Sequence, residues 1–437
     1  MAGEWTETTF AELVGGPQNI IGGPFGSNLT QADYTIHGVP VIRGSNMGQM
    51  GRFIAGDFAY VSDQKASTLA SNQVMPGDIV VTQRGTMGQV SIVPQGRAEK
   101  FIVSQSQMGV RVEASDPMFV YYLLTSKLFS DYLEGATIQT GVPHINMGIL
   151  RSWRVAAPPK RSQELIAAVL SSLDDKIELN RRTAVTLQEM AQALFKSWFV
   201  SFDPVRAKAE GRPTGLPDTT AALFPARFCD GGLPEGWQEA PFGEVFDIRN
   251  GNTPSTEDHR YWGGDHQWAT PRDLSPLASP VLLNTDRTLS DQGLAVVNSG
   301  LLPVGSVLLS TRAPIGYLAF ATRPVAINQG MAGIVRKSVS PTYAWLWCDT
   351  NIDMFRAVAG GSTFPEISKG TLRRLPMVIP TGSISEAFAA CVDPIVERLI
   401  ELASESDRLA TVRDTLLPRL ISGELRIKDV DAKGEAA

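Results

Sequence analysis

Several residue types that mark common classes of protein are scarce in this chain. The three cysteines, Cys229, Cys348 and Cys391, lie far apart and form no C-x-x-C pair, and the four histidines have no metal-ligand spacing to one another. We therefore expect neither a disulfide framework nor a metal site, and we interpret the cysteines as reduced thiols. No apolar run is long enough to span a bilayer, and the N-terminal MAGEWTETTF carries no signal region. A cytoplasmic protein without a membrane partner is the expectation.

Signatures of nucleotide binding and of catalysis are missing as well. Gly22, Gly23 and Gly26 lie beside an apolar strand, but neither a Lys-Ser/Thr pair nor a helix follows them, as a phosphate-binding loop requires. The sequence has no NPPY-type motif of an adenine methyltransferase, no G-x-S-x-G and no H-E-x-x-H. We therefore expect that this chain is not itself an enzyme.

Size and composition indicate a folded protein of several domains. A length of 437 residues suits about three domains, and a hydrophobic content of 43% supports packed cores. The formal net charge of −6 argues weakly against a protein that coats nucleic acid by bulk attraction. A local basic or polar surface that reads DNA is compatible with this charge.

The chain contains one module twice. The segment PGDIVVTQRGTMG in the first half is answered by PVGSVLLSTRAPIG in the second, and VPVIRGSNM is answered by HQWATPRDL. Together with the neighbouring matches, these segments align Arg84 with Arg312, Asn46 with Asp273, Gln105 with Gln329 and His144 with Glu366. In each copy, short runs of Val, Ile and Thr are separated by Gly, Pro and Asn, which predicts a largely β domain with some helix.

A long helical pattern follows each copy of the module. Apolar residues recur at alternating steps of three and four in the first half, and adding 222 to each position continues the pattern in the second. This spacing is typical of the a and d positions of a coiled coil. The predicted seam contains Leu170, Leu173, Ile177, Asn180, Leu187, Leu194, Trp198, Val392, Ile395, Leu399, Leu402, Leu409, Leu416 and Leu420. The polar Asn180 is expected to specify the register of the pair.

Two such helices in one chain can pair in parallel or antiparallel, and we expect the antiparallel arrangement. The alternative is that each helix packs only on its own domain. Pro394 is expected to shorten or bend the start of the second helix, and the Pro- and Gly-rich stretch between the halves predicts a connector. The predicted boundaries are 1–159 for the first β domain, 160–202 for the first helix, 203–235 for the connector, 236–381 for the second β domain, 382–423 for the second helix and 424–437 for a tail.

The order of several segments resembles that of the specificity subunits of Type I restriction-modification systems. These segments are IIGGPFGSNLTQADYTIHGVPVIRGSNM, GDIVVTQRGTMG, LFKSWFVSFDPVRAK, LPEGW, YWGGDHQWATPRDLS, NQGM and LLPRLISGEL. Each segment is a weak signature by itself, but their order and duplication are specific, and the repeated plan covers nearly the whole chain. The resemblance implies an α+β fold with two pseudo-repeated, mostly β target recognition domains. Each domain is followed by a long helix, and the two helices pair as an antiparallel coiled coil.

The resemblance also implies a function and partners. Each target recognition domain would read one half of a bipartite double-stranded DNA target, while the coiled coil would set the half-site spacing and dock two modification subunits. Those methyltransferase subunits are expected to bind S-adenosylmethionine, and restriction subunits are expected to use ATP and Mg²⁺. This chain would then be a non-catalytic DNA-binding subunit with no cofactor of its own. The alternative is a coiled-coil scaffold whose two β domains bind proteins or glycans.

Polar residues on turns beside the strands are the candidates for DNA contacts, because Arg, Asn, Gln, Asp and Ser read base edges. In the first domain they are Ser27, Asn28, Tyr34, Arg43, Asn46, Gln83, Arg84, Thr86, Gln105, Gln107 and His144. In the second they are Asn252, His259, Arg260, Tyr261, Arg272, Asp273, Thr311, Arg312, Gln329 and Lys369. Arg84 and Arg312 stand out because a guanidinium can grip guanine or phosphate with two hydrogen bonds. The alternative for this pair is a structural Arg that pairs with a carboxylate inside each module.

Overall fold

The computed structural model describes residues 5–48, 51–136, 144–312, 314–361 and 365–427, and the chain divides into two compact units. The first unit comprises Met1–Glu178 and Arg408–Ala437, and the second comprises Leu179–Asp407. Each unit contains one copy of the sequence repeat and a part of each long helix. Residues 428–437 of the predicted tail lie outside the described residues.

Among the described residues of the first unit, the strands form three sheets. A two-stranded antiparallel sheet joins the first and last strands of the module, Thr6–Thr9 and Arg154–Ala157. A four-stranded sheet has the order Ile20–Gly22, Gln107–Val110, Ile79–Thr82, Val90–Ile92. A five-stranded sheet has the order Tyr34–Thr35, Ala59–Val61, Val39–Ile42, Phe101–Val103, Gln73–Val74. Short apolar runs without alternation produce these strands, and several of them are buried along their whole length.

Short helices cover the sheets of the first unit. The α-helices are Phe10–Leu13, Asp63–Thr68, Pro117–Thr125, Lys127–Ala136 and Met147–Ser152. Single 3₁₀ turns lie at Pro17–Asn19, Gly26–Asn28, Gln31–Asp33, Gly44–Asn46 and Ala70–Asn72. The helix Pro117–Thr125 begins where the carboxylate of Asp116 accepts a hydrogen bond from the backbone N–H of Phe119 over 2.9 Å.

The second unit repeats this plan with its own strands. A two-stranded antiparallel sheet again joins the outer strands, Gln238–Pro241 and Pro376–Ile379. A five-stranded sheet has the order Phe246–Asn250, Met331–Arg336, Val307–Ser310, Leu318–Ala321, Val281–Leu282, and a three-stranded sheet has the order Arg287–Leu289, Trp262–Ala269, Val325–Ile327. The shorter helical segments are Asp203–Ala209, Asp218–Leu223, Phe242–Val245, His259–Tyr261, Pro271–Leu274, Asp291–Ala295, Pro341–Thr350, Ile352–Val358 and Lys369–Arg374.

The two copies share equivalent strand pairs and equivalent backbone bridges, although their sheets differ in strand number. In the first unit Val41 pairs in parallel with Ile102, and in the second Trp268 pairs in parallel with Ala326. An isolated backbone bridge joins Arg84 to His144, and an equivalent bridge joins Arg312 to Glu366. The positions that the sequence repeat aligned are therefore the same positions in the two folds. This agreement confirms the predicted fold of two pseudo-repeated, mostly β domains.

The two long helices are Lys160–Phe195 and Gly382–Ile421, and they pack against each other. In the second unit the amide of Asn180 donates to the hydroxyl of Ser406 over 3.3 Å, and further along the ring of Phe195 lies 6.0 Å from that of Phe388. Partner numbers fall as residue numbers rise, so the pairing is antiparallel, as predicted. In the first unit Asp174 and Arg413 form an ion pair of 2.7 Å between the same helices.

The seam positions point inward along both helices. Buried residues of the predicted seam are Leu170, Asn180, Trp198, Val392, Leu399, Leu402 and Leu420, and half-buried ones are Leu173, Ile177, Leu187, Leu194, Ile395, Leu409 and Leu416. In each unit the seam merges with the core of the recognition module. It follows that the helices pack on their own domains and on each other, rather than on their domains alone.

The ends of the long helices differ from expectation in detail. A π turn, Lys196–Val200, follows the first helix, and Phe202 then adopts a left-handed backbone conformation with φ of 55° that turns the chain into the helix Asp203–Ala209. The second helix begins at Gly382 and continues through Pro394 as one helix, so the expectation that this proline shortens its start was wrong. Among the described residues, no helix combines the length and apolar character that crossing a membrane requires.

Candidate nucleic-acid interface

The first unit has a concave cleft with a volume of about 450 Å³, which we name the polar cleft. Several of the predicted residues line it. Of the predicted DNA-contact residues, those that line it are Tyr34, Arg43, Arg84, Thr86, Gln105 and Gln107. The other polar side chains of its lining, Thr82, Gln89, Ser104 and Ser106, were not among the candidates. Among the described residues that line it there are two arginines and no carboxylate. Such a surface favours a polyanion that carries hydrogen-bonding groups.

The strand arrangement explains why these residues meet. Strands Val39–Ile42 and Phe101–Val103 run in parallel, so the residues that follow them, Arg43 and Ser104, emerge at the same edge. The backbone N–H of Ser104 donates to the carbonyl of Ile42 over 2.9 Å. Since residues distant in sequence come together at this edge, the cleft is a property of the fold and not of a local motif.

Further main-chain hydrogen bonds fix the turns around the polar cleft. The N–H of Gln83 donates to the carbonyl of Ser106 over 2.9 Å, and the N–H of Ile145 donates to the carbonyl of Gln83 over 3.0 Å. On the opposite side, the carboxylate of Asp33 accepts from the N–H of Thr30 over 2.7 Å and pairs with Lys65 over 2.9 Å. These hydrogen bonds lower the pKa of Asp33 to about 2. Tyr34, the next residue, is thereby held at the rim of the cleft.

A second concavity of about 260 Å³, which we name the side groove, adjoins the polar cleft. Arg84 and Gln105 line both, and His144 and Phe25 line the side groove alone. Arg84 therefore lies where the polar cleft and the side groove adjoin. It is exposed, and among the described residues its side chain has no ion pair or hydrogen bond. A guanidinium in this state is available to a phosphate or to the edge of guanine.

The equivalent arginine of the second unit lies at a long ion-pair distance from a carboxylate. Nε of Arg312 lies 4.0 Å from Oε2 of Glu366, and both side chains are close to half exposed. An exposed ion pair at this distance contributes about 0–1 kcal/mol. A structural pairing was the alternative interpretation for both arginines; the second unit provides such a carboxylate, whereas the aligned residue in the first is His144.

Several of the remaining candidates of the second unit lie apart from one another on its surface. His259, Arg260 and Tyr261 form one turn, in which Arg260 pairs with Asp258 over 2.7 Å, and this contact lowers the pKa of Asp258 to about 2. Arg272 and Lys369 are exposed on short helices. Thr311 and Gln329 lie near the turn that contains Arg312, and Asn252 lies on the loop that contains Gly251. In the first unit Ser27 and Asn28 are exposed on the turn Gly26–Asn28.

Two aligned candidates, Asn46 and Asp273, are structural caps. The amide oxygen of Asn46 accepts from the N–H of Arg43 over 3.0 Å, and the carboxylate of Asp273 accepts from the N–H of Thr270 over 2.8 Å. Asn46 also donates to the carbonyls of Ala55 and Asp57 and is 1% exposed. These side chains hold the turn after an equivalent strand in each copy. In the structure, both side chains are therefore engaged in holding turns of the fold.

Three further candidates are committed to the interior or to main-chain contacts. Gln107 is 0% exposed and accepts a hydrogen bond from the hydroxyl of Ser104. Thr311 is 4% exposed, and its carbonyl accepts from the N–H of Ile367 over 2.9 Å. The amide of Asn252 donates to the carbonyl of Val296 over 2.9 Å. We interpret these residues as supports of the surface, with Gln107 beneath the polar cleft.

Sequence analysis also did not single out some neighbours of the predicted residues. Arg287 places its guanidinium carbon 3.4 Å from the centre of the Trp262 ring, a cation–π contact between these two side chains. Ser104 and Ser106 adjoin Gln105, and the repeat that aligned Gln105 with Gln329 was the signal that marked this segment. No property of a lone serine in the sequence distinguishes it as part of a cleft.

Both modules match a known family of protein domains. The family described as Type I restriction modification DNA specificity domain matches residues 30–189 and again residues 234–407. The chain belongs to this family. Both matched stretches include a β module and a part of a long helix, so the family unit coincides with the repeat seen in the sequence and in the fold.

Individual relatives agree with the family match. The Type I restriction enzyme HindI specificity subunit of Haemophilus influenzae is 28% identical over 407 residues, which cover 82% of this chain and 88% of that protein. The Type I restriction enzyme MjaIX specificity subunit of Methanocaldococcus jannaschii is 31% identical over 173 residues, which cover 38% of this chain and 40% of that protein. The crystal structure of the Type I restriction-modification S subunit from M. genitalium superposes with a TM-score of 0.58 at 15% identity, covering 95% of this chain and 96% of that one. This last likeness shows a shared fold.

Proposed function

We propose that this chain is the DNA specificity subunit of a Type I restriction-modification complex, in which each recognition module reads one half of a bipartite target. The observation that carries the proposal is the twofold match to the specificity-domain family, aligned with two modules of the same fold. The chain contributes recognition, and the chemistry resides in partner subunits. Among the described residues there is no cluster of three or more His, Cys, Asp or Glu side chains arranged to hold a metal ion.

The polar cleft supports a direct role in DNA binding. Its two arginines supply positive charge for the phosphate backbone, and its Gln, Ser and Thr side chains supply donors and acceptors for base edges. The net charge of −6 does not oppose this role, because the described residues that line the polar cleft include two arginines and no carboxylate. In the second module, Arg312 and Gln329 occupy the positions of Arg84 and Gln105.

The long helices serve as spacer and docking surface in this proposal. Two modification subunits bind there and use S-adenosylmethionine to methylate adenine, and restriction subunits that use ATP and Mg²⁺ complete the complex. Support for a docking role comes from apolar side chains that the helix pair leaves exposed. Leu179 and Met190 lie on one face of the first long helix and are 57% and 56% exposed.

Substitution of the aligned arginines tests the proposal. We expect Arg84→Ala to weaken binding of the modification complex to its target by about 10- to 100-fold and to relax the sequence requirement in one half-site only. Arg312→Ala is expected to act on the other half-site. The measurement is methylation of adenine at base resolution in a library of bipartite sites, together with binding to the selected site.

Arg154→Gln is the matched control, because Arg154 is 70% exposed and pairs with Glu7 on the outer sheet. It is expected to leave both half-sites unchanged. Equal loss in both half-sites for either alanine variant would count against base readout by these modules. Absence of any sequence-specific DNA binding by the wild-type complex, with a protein or glycan ligand captured instead, would favour the scaffold alternative.

A further inference from the structure

Phe25 presents its phenyl ring to solvent beside the candidate DNA surface. The residue is 75% exposed, and it lines the side groove together with Arg84, Gln105 and His144. Single exposed apolar side chains are common on protein surfaces, so exposure by itself assigns no role. The location of this ring, in the groove that Arg84 shares with the polar cleft, is what distinguishes it.

The loop that carries Phe25 is pinned to the protein. A Cβ atom at Gly23 would lie 2.1 Å from the carbonyl oxygen of Ser104, so only glycine permits this approach of the two backbones. Pro24 is buried, and the N–H of Asn28 donates to the carbonyl of Phe25 over 2.9 Å. The ring therefore projects from a short turn fixed on both sides, and little conformational entropy is lost when it binds.

The second module carries a different side chain at the same place. Strand pairing aligns Ile21 with Arg249, because Ile21 faces Gly109 and Arg249 faces the equivalent Gly333. Gly23 then corresponds to Gly251, where a Cβ atom would also collide with backbone, 1.5 Å from the carbonyl oxygen of Ile327.

Two residues further along, Phe25 corresponds to Thr253. The hydroxyl of Thr253 donates to the amide oxygen of Gln329, the residue that aligns with Gln105. One module thus places an apolar ring, and the other a hydrogen-bonded hydroxyl, beside equivalent glutamines. Two half-sites of different sequence require such differences at equivalent positions.

We propose that Phe25 is a specificity-determining residue that packs its ring against an apolar surface of a base in the first half-site. This inference rests on the proposed function and names one contact within it. The apolar surface is either the C5 methyl group of thymine or the face of a base that the ring partly unstacks. The Thr253–Gln329 pair makes the corresponding position of the second module polar.

The test uses the complete modification complex with Phe25→Ala and Phe25→Leu. We expect Phe25→Ala to weaken binding to the selected target by about tenfold and to lower methylation at sites that depend on the first half-site sequence. Phe25→Leu, which keeps an apolar side chain, is expected to retain most of the binding. Ile36→Ala is the control, since Ile36 is 83% exposed but lines neither the polar cleft nor the side groove.

Two modified DNA substrates separate the two apolar surfaces. Uracil in place of thymine removes the C5 methyl group, and a position contacted there would weaken binding of the wild type but not of Phe25→Ala. 2-Aminopurine reports unstacking by a rise in fluorescence, which would appear with the wild type and be absent with Phe25→Ala. If neither substrate gives its expected signal, the proposal is overturned.

The outcomes also distinguish this proposal from the function on which it rests. If the wild-type complex binds a bipartite site and Phe25→Ala binds it equally well, or loses both half-sites equally, the role of Phe25 is refuted while the function stands. If the wild-type complex binds no specific DNA, the proposed function itself fails. Unchanged thermal unfolding of Phe25→Ala, expected for an exposed ring, excludes misfolding as the cause of lost binding.

Discussion

At the scale of single residues, Asp349 is a half-buried carboxylate whose environment opposes its charge. It lies on the helix Pro341–Thr350 and accepts a hydrogen bond from the amide of Gln192 over 2.8 Å. Burial raises the pKa of Asp349, and this effect exceeds the opposing effect of the hydrogen bond from Gln192. The folded state therefore holds a proton at pH values where the same carboxyl group in the unfolded chain, with its ordinary pKa of 3.8, has released it.

Because of this raised pKa, we expect Asp349→Asn to stabilise the protein by an amount that depends on pH. Stability is lost as the pH rises from 3.8 through the raised pKa of the folded state, and the loss persists at neutral pH. An asparagine oxygen can still accept from Gln192 but carries no charge. We expect the variant to unfold a few degrees higher than the wild type at pH 7 and to gain less near pH 4.

Thermal unfolding at both pH values measures the effect of Asp349→Asn. The control is Asp353→Asn, whose side chain is 97% exposed in the wild type and which should change the midpoint little at either pH. A lower midpoint at pH 7, or an equal gain at both pH values, would contradict the explanation by burial.

At this scale the sequence identifies side chains with suitable chemistry, but the contacts that each side chain makes in the fold are not visible in it. Arg84 was singled out for its guanidinium, and the fold leaves it exposed on the polar cleft. Asn46 has equally suitable groups for DNA, but the fold uses all of them to hold a turn. Both are polar residues that follow a strand, so the sequence pattern does not separate an exposed side chain from one that caps a turn.

At the scale of secondary-structure elements, a polar cluster attaches the first module to the helix pair. Asp174 of the first long helix accepts from the hydroxyl of Tyr122 over 2.6 Å and pairs with Arg413 of the second long helix over 2.7 Å. Its neighbour Asp175 pairs with Arg52 of the module. The side chain of Asp174 is only 12% exposed, so the carboxylate is shielded from solvent by its partners.

Loss of this carboxylate is expected to destabilise the first unit. Asp174→Asn leaves Arg413 partly buried without its inter-helix partner and should reduce the free energy of unfolding by roughly 1–3 kcal/mol. Tyr122→Phe removes one hydrogen bond and should reduce it by about 1 kcal/mol. Urea unfolding measures both values.

The control for the Asp174 cluster is Asp131→Asn, which breaks an exposed i,i+4 pair with Lys127. Its effect should not exceed about 0.5 kcal/mol. If Asp174→Asn costs no more than this control, the cluster does not hold the module on the helices. A second unit with unchanged stability in the same variants would locate the effect in the first.

The helices were predictable because their period survives in the sequence. A seam of alternating three- and four-residue steps needs no knowledge of contacts, and both long helices follow it. The uninterrupted helix through Pro394 was not predictable from the seam pattern. The helix accommodates it twelve residues after its first residue, Gly382, because the surrounding seam residues Val392 and Leu399 are buried in the core of the second unit.

At the scale of the whole molecule, the internal repeat was the feature of the sequence that predicted two domains of the same fold. The sequence aligned Arg84 with Arg312 and His144 with Glu366, and in the structure these residues form two equivalent backbone bridges. The strand order was not predictable in the same way. The polar cleft depends on a parallel pair between strands about sixty residues apart, Val39–Ile42 and Phe101–Val103, and the connection between them carries no signal for a parallel arrangement.

The proposed spacer role of the helices makes a prediction for the complete chain. Insertion of seven residues after Glu178 and seven more after Asp407 keeps the heptad seam, because the two points lie on facing segments near Asn180 and Ser406. Seven helical residues add about 10 Å, which is the rise of about 3 base pairs of DNA. We expect the doubly extended complex to select targets whose half-sites are unchanged in sequence but separated by about 3 more base pairs.

Selection from a library with randomised spacer lengths measures the preferred separation. Insertion in one helix only is the control, because it offsets the seam and should abolish assembly. A doubly extended protein that folds, assembles and still selects the original spacer would show that the helices do not set the distance between half-sites.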